Sequence, residues 1–210
     1  MMQALISPIS LDEARTVASG GADIIDIKNI KEGSLGASFP WIISEIAREL
    51  SSYKVLFSAT LGDLPFKPGT ASLAALGAAA SGAQYIKAGL YGVQSEDQGV
   101  EMMSAVRRAC KDFNPSITVV TAGYADYRRF GGLSPDTLVR IAQRSQSDLV
   151  MVDTAIKDGA TLFDALTFEE IRQFINDAHK AGMKVALAGS VRTEHMDALY
   201  ELKPDVVGVR

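Results

Sequence analysis

A chain of 210 residues that is 47% hydrophobic has the length and apolar content for one domain whose core needs neither disulfides nor a metal. A formal net charge of −4 and a pI near 5.2 argue against a nucleic-acid surface, because phosphate backbones are held by clustered excess Lys and Arg. No apolar run approaches the roughly 20 residues that span a bilayer, and the start MMQALISPISLDEA lacks the basic n-region of an export signal, so a soluble cytoplasmic protein with no membrane partner is expected.

The first short apolar run is Ala4 to Ser7 and the second Asp23 to Lys28. In ADIIDIKN, period-two alternation places Ile25 and Ile27 on one face and Asp26 and Lys28 on the other. The Gly-rich segment KEGSLGASFP follows as a loop, and Trp41, next to Pro40 at a helix start, is expected to pack. Ile42, Ile43, Ile46 and Leu50 make a helical stripe. The third run, Val55 to Thr60, leads into GDLPFKPGT, read as a loop, and the fourth, Tyr85 to Leu90, carries Lys87. Met102, Met103, Met151 and Met183 read as core filling, and Cys110, at helical spacing beside Met103 and Val106, as an inert core thiol.

Ile117 to Gly123 and Leu149 to Thr154 are the fifth and sixth runs; the sixth carries Asp153, with Lys157 four residues on in the next loop. Phe168, Ile171, Phe174, Ile175 and Ala178 make a second stripe, and Lys184 to Gly189 and Asp205 to Val209 complete the strands. His179 and His195 fall on predicted helices away from the strand ends and are assigned surface or half-buried structural roles.

Eight β-branched apolar runs alternating with seven helical segments predict a parallel sheet covered by helices. The even strands share small or polar leads, GGADII, SGAQYI, SQSDLV and KPDVV, which recur about every 60 residues, the length of two βα units. A closed (β/α)₈ barrel over residues 1–210 is the reading this favours, with a doubly wound open sheet as the alternative. The sequence stops at Arg210, just after the eighth strand, so an eighth helix is expected to be absent, either by truncation or because a neighbouring subunit of a homo-oligomer covers that flank.

Charged side chains inside strands are costly to bury without partners. Strands two, four and six contribute to the same layers of a barrel interior, so Asp26, Lys28, Lys87 and Asp153 should converge at one mouth, with Lys157 at the same end. A purely structural ion-pair network would explain them too. The functional reading is that two lysines in a shielded site lower each other's pKa and free an amine for attack on a carbonyl, while the carboxylates move protons. Substrate phosphate is expected near the loops after strands seven and eight, at Gly189, Ser190 and Arg210. No Walker loop, GxGxxG, HExxH or GxSxG motif is present, and neither a metal nor a cofactor is expected.

Through KNIKEGSLGA, SATLGDLPFKPGT, YIKAGLYG, TAGYAD, VDTAIKDGATLFD, ALAGS and the terminal VVGVR, nearly the whole chain resembles the (5-formylfuran-3-yl)methyl phosphate synthase family of methanofuran biosynthesis. The family normally continues past GVR into a Gly-rich segment and a last helix. The resemblance implies a class I aldolase-like lyase that condenses two molecules of glyceraldehyde 3-phosphate into a phosphorylated furan aldehyde. It further implies that Lys28 forms the Schiff base and Lys87 transfers protons, with Asp26, Asp153 and Lys157 in support. Three other readings compete with it: a generic triose-phosphate aldolase or isomerase, a pyridoxal-phosphate barrel with the cofactor on Lys28, and a non-catalytic phosphate-metabolite binding barrel.

Overall fold

A computed structural model describes residues 2–210. Its strands are β1 (Gln3–Ile6), β2 (Ile24–Ile27), β3 (Leu56–Pro65), β4 (Tyr85–Gly92), β5 (Thr118–Tyr124), β6 (Leu149–Asp153), β7 (Lys184–Leu187) and β8 (Val206–Val209). They pair in parallel and in sequence order, and β8 returns to β1, so the barrel is closed and the open-sheet alternative falls. The helices are α1 (Leu11–Ser19), α2 (Pro40–Glu49), α3 (Pro68–Ala80), α4 (Glu96–Phe113), α5 (Pro135–Arg144), α6 (Leu162–Ala165), α7 (Phe168–Lys180) and α8 (Met196–Leu202).

Seven of these helices link successive strands. The expected count needs correction, because Thr161 and Asp164 form a reciprocal capping box that adds the one-turn α6 ahead of α7. No helix follows β8 among the described residues. None is long and apolar enough to cross a membrane.

Strand alternation divides the apolar residues into two layers. Ile25, Ile27, Ile86, Val119, Val150, Val152, Val185 and Val207 face outward onto the helices. Leu5, Ile24, Tyr85, Val120, Leu149, Met151, Ala186 and Val206 fill the barrel. Met102, Met103, Met183 and Cys110 are buried outside the sheet, and burial pushes the Cys110 thiol up to about 12. Trp41 departs from expectation: it is 65% exposed and stacks on Phe39, itself half exposed, instead of entering the core.

The repeat of about 60 residues has a physical cause at the N-terminal end of the barrel. Asp23, Gln84, Asp148 and Asp205 immediately precede or sit one residue ahead of the even strands. Their side chains accept the backbone N–H of Ala4, Phe57, Val119 and Val185 in β1, β3, β5 and β7, at 2.8, 2.8, 2.7 and 2.8 Å. Each clamp residue thus closes the start of the preceding odd strand, and each satisfies a backbone donor that the ladder leaves open. His179 on α7 adds to this ring through a 2.8 Å contact with Asp205; His195 lies in a 3₁₀ turn ahead of α8, not on the helix itself, and packs at a tilt against the Phe163 ring.

Candidate active site

At the C-terminal end of the strands lies a cavity of about 650 Å³ bordered by β1, β2, β6, β7, β8 and their loops. Asp26, Lys28, Asp153, Lys157, Gly189, Ser190 and Arg210 all line it, together with Ser7, Ser34 and Arg192, which the sequence reading did not single out. Lys87 does not line it. That side chain lies beneath, in the barrel interior, where it is 1% exposed.

Asp26 and Lys87 belong to one inward layer of the even strands, and Lys87 Nζ stands 2.7 Å from Asp26 Oδ1. The distance makes an ion pair, yet neither atom has an aligned hydrogen-bond partner among the described residues, and Ser58 Oγ beside them has none either. The other carboxylate oxygen of Asp26 accepts from Ser7 Oγ at 3.0 Å. Burial opposes the charge on Asp26, but Lys87 and Lys28 outweigh it and hold the carboxyl below its ordinary range. Burial pushes the Lys87 ammonium down against the pull of Asp26, and the like charge of Lys28 adds to the fall.

One layer higher, Asp153 ends β6 and accepts from Lys157 Nζ and from the Thr154 N–H, each at 2.7 Å. Thr154 Oγ1 gives Lys157 Nζ a second acceptor at 3.0 Å. The loop carrying Lys157 is held from below by the buried Asp126, whose two oxygens accept the N–H groups of Ala155 and Ile156 at 2.8 and 2.9 Å. Lys28 is different. Half-buried at the end of β2, it has no carboxylate within ion-pair distance among the described residues.

Above β7 the chain turns through two successive left-handed residues, Gly189 (φ 112°) and Ser190 (φ 50°). A Cβ at Gly189 would stand 2.9 Å from Thr154 Cγ2, so glycine is required for this approach. Among the described residues nothing accepts the backbone N–H of Gly189, Ser190 or Val191. Consecutive free N–H groups of this kind, with Arg210 and Arg192 on the same wall, have the donor pattern and charge that suit an anion.

Asp63 and Tyr124 also escaped the sequence reading. GDLPFKPGT is not wholly loop, because β3 continues to Pro65. A register shift between Thr60 and Asp63 lets three residues of β3 face two of β4, so Asp63 comes level with Gly89. Without that bulge, alternation from Ser58 and Thr60 would send Asp63 outward. The Tyr124 hydroxyl donates to Asp63 Oδ1 and the Leu35 N–H donates to Oδ2 at 3.4 Å. Burial pushes this carboxyl up, against the Leu35 N–H, and the charge of Asp153 adds to the rise. Among the described residues no cluster of three or more His, Cys, Asp or Glu is placed to hold a metal ion.

A family model described as 4-HFC-P synthase matches residues 4–210. The chain belongs to the (5-formylfuran-3-yl)methyl phosphate synthase family. It is 53% identical over 209 residues to the (5-formylfuran-3-yl)methyl phosphate synthase of Archaeoglobus fulgidus, spanning 100% of this chain and 89% of that one. It is 54% identical over 206 residues to the synthase of the same name from Methanocaldococcus jannaschii, spanning 98% and 87%. Among solved structures, a tetrameric deoxyribose phosphate aldolase from Aeropyrum pernix superposes with a TM-score of 0.67 at 15% identity, over 99% of this chain and 84% of that one, a likeness of fold. Membership makes this protein an enzyme of the synthase and lyase kind, built on the barrel that aldolases share.

Proposed function

We propose that the enzyme condenses two molecules of glyceraldehyde 3-phosphate into 4-(hydroxymethyl)-2-furancarboxaldehyde phosphate through an imine on Lys28, in the cytoplasm and in the service of a methanofuran-type C1 carrier. The observation that carries this reading is the pairing pattern: Lys87 and Lys157 each have an aspartate at 2.7 Å, whereas Lys28 faces the cavity with none among the described residues. Lys87 lies beneath the cavity and Lys157 is held by Asp153, so Lys28 is the amine placed to reach a substrate carbonyl.

In the proposed sequence one triose phosphate is isomerised to its ketone, which condenses with Lys28. Loss of a proton from the iminium gives an enamine that attacks the aldehyde of the second triose. Ring closure, loss of one phosphate and loss of two waters then balance two trioses against one furan aldehyde. Asp26 lines the cavity and touches Lys87, so protons exchanged with the substrate reach the buried lysine through this carboxylate. Asp153 and Lys157 take the same part on the β6 side, and Gly189, Ser190 and Arg210 hold a substrate phosphate. A homo-oligomer is part of this reading; the uncharged α3, with Leu73 and Leu76 exposed, supports it, and light scattering tests it. Incubation with glyceraldehyde 3-phosphate should yield a furan aldehyde, and borohydride added during turnover should leave a mass adduct on the Lys28 peptide. Turnover with the adduct on Lys87 or Lys157 would overturn the assignment.

A further inference from the structure

Both oxygens of Asp26, the carboxylate on which the proposed proton traffic depends, are already engaged. Oδ1 faces Lys87 Nζ at 2.7 Å, and Oδ2 accepts from Ser7 Oγ at 3.0 Å. Hydroxyls from the two neighbouring strands flank this carboxylate, and they look in different directions. Ser58, the partner of Asp26 in the β2–β3 register, is fully buried and sits with Lys87 in the barrel interior beneath the mouth. Ser7 lines the cavity of about 650 Å³. The ladder is the cause: Leu5 pairs with Ile24 and Ile6 with Ile25, and alternation from the inward Leu5 turns Ser7 inward beside Asp26. The Ser7 N–H donates to Val209 O at 3.1 Å, which fixes the backbone under this hydroxyl to the end of β8. A hydroxyl has one proton to give and two lone pairs to offer. Ser7 gives its proton to Asp26, and among the described residues nothing donates to its lone pairs.

We propose that Ser7 is a further catalytic residue, whose hydroxyl passes protons between the substrate and Asp26 Oδ2. This rests on the imine reading given above. In the iminium on Lys28, Ser7 Oγ takes the proton from the carbon next to the C=N bond while its own proton moves to Asp26 Oδ2. The C–H electron pair forms a C=C bond and the C=N π pair goes to nitrogen, which gives the neutral enamine. When the enamine carbon bonds to the aldehyde of the second triose, the nitrogen pair restores the iminium and the carbonyl π pair goes to oxygen. That oxygen takes the Ser7 proton, and Ser7 takes back the one held on Asp26. The proton has moved from carbon to oxygen, the carboxylate is restored, and no other reactant is consumed. Lys87 on Oδ1 leaves Oδ2 as the oxygen through which this exchange runs.

The test measures enamine formation apart from imine formation. Dihydroxyacetone phosphate, the ketone of the proposed sequence, is labelled with tritium beside its carbonyl, and release of the label to solvent is followed in the full-length protein, counting only the release that Lys28→Arg lacks. In Ser7→Ala, borohydride should still load Lys28 to the native level, while tritium release and furan formation fall together by about 10²-fold. Ser7→Thr keeps the hydroxyl and should recover most of both. Native-level release in Ser7→Ala would overturn the proposal, as would loss of trapping along with release in a variant that melts normally, or a Ser7→Thr no better than Ser7→Ala. A readout on the native enzyme covers the case in which Ser7→Ala does not fold. The relay moves the exchangeable Ser7 proton in the same step as the carbon-bound label, so release should be slower in D₂O than in H₂O; equal rates would overturn it. A native enzyme that forms no adduct, or releases no more label than Lys28→Arg, is a separate outcome, and it would remove the imine reading together with this one.

Discussion

The two ends of this barrel are built on opposite plans. At the N-terminal end one device recurs four times, a polar residue ahead of each even strand that accepts an N–H from the odd strand before it. At the C-terminal end nothing recurs: β2 runs into Lys28, β4 carries Gly89 at the corresponding level, β6 ends in Asp153 and β8 runs into Arg210. The fourfold end satisfies backbone donors and closes the strand ladder. The irregular end places unlike charges around a cavity, so its side chains are free of the repeat. The difference suggests that replacing a clamp should change stability and leave chemistry alone, while replacing a mouth residue should do the reverse.

The largest effect expected is at Lys28. Lys28→Arg keeps a positive charge of similar length but cannot add to a carbonyl, since guanidinium stays protonated. Furan formation and borohydride trapping should both vanish, and the melting temperature should stay close to native. A variant that retains turnover breaks the comparison at its most important point.

Lys87 stands between the two ends and should show both kinds of effect. Lys87→Met leaves Asp26 buried without a cation, which costs about 3–5 kcal/mol for a buried pair. The pH dependence should change with it. The folded protein holds Asp26 below its unfolded value, so the pair's contribution is present above about pH 4 and is lost as pH falls through the folded value. With Lys87 gone, Lys28 is the cation left to oppose burial, so the Asp26 pKa moves up from its native position and acid should then favour the folded state relative to native. Denaturant unfolding between about pH 3 and 7 measures this, and parallel curves for the two proteins would refute it.

The contrast between the ends also accounts for what was legible in the sequence. A repeated device leaves a repeated trace, and GGADII, SGAQYI, SQSDLV and KPDVV announced the barrel before its hydrogen bonds were visible. Asp26, Lys28 and Asp153 were legible because strict alternation on short strands fixes their face. Asp63 was not, because a bulge in β3 resets the alternation and a Gly-Asp-Leu-Pro run has the composition of a loop. Arg192 was hidden for another reason: it reaches the cavity from a loop, where no period applies. The depth of Lys87 was equally invisible, since alternation gives the face of a residue but not how far below the mouth its layer lies.

A clamp replacement should have a moderate effect confined to stability. Gln84 is the simplest choice, since Asp148 also pairs with Lys111 and Asp205 with His179. Gln84→Ala strands the part-buried Phe57 N–H, at a cost of about 1–3 kcal/mol. Imine trapping and kcat should remain native at a temperature where the variant is folded. A clear fall in kcat would mean that the lower ring is felt at the mouth.

The smallest stability effect is expected at Lys157, and it bears most directly on how the mouth is built. Its contact with Asp153 has the same 2.7 Å length as the Lys87–Asp26 contact, so distance alone predicts equal worth. Exposure separates them: the Lys157 side chain is 44% accessible and that of Lys87 is 2%. Water screens the upper pair from the Lys157 end, although the Asp153 side chain is only 4% accessible, so the pair's worth lies nearer the about 0–1 kcal/mol of an exposed ion pair than that of the lower one does. Asp153 also keeps the Thr154 N–H after the change, so its carboxylate is not left bare. Lys157→Met should therefore shift the unfolding midpoint by little, while furan formation falls because the proton route on the β6 side has lost its cation. Urea titration beside a turnover assay separates the two quantities. A loss of stability as large as that of Lys87→Met would show that the upper pair is structural, and the division of labour between the ends of the barrel would then have to be drawn above Lys157 and Asp153 instead of below them.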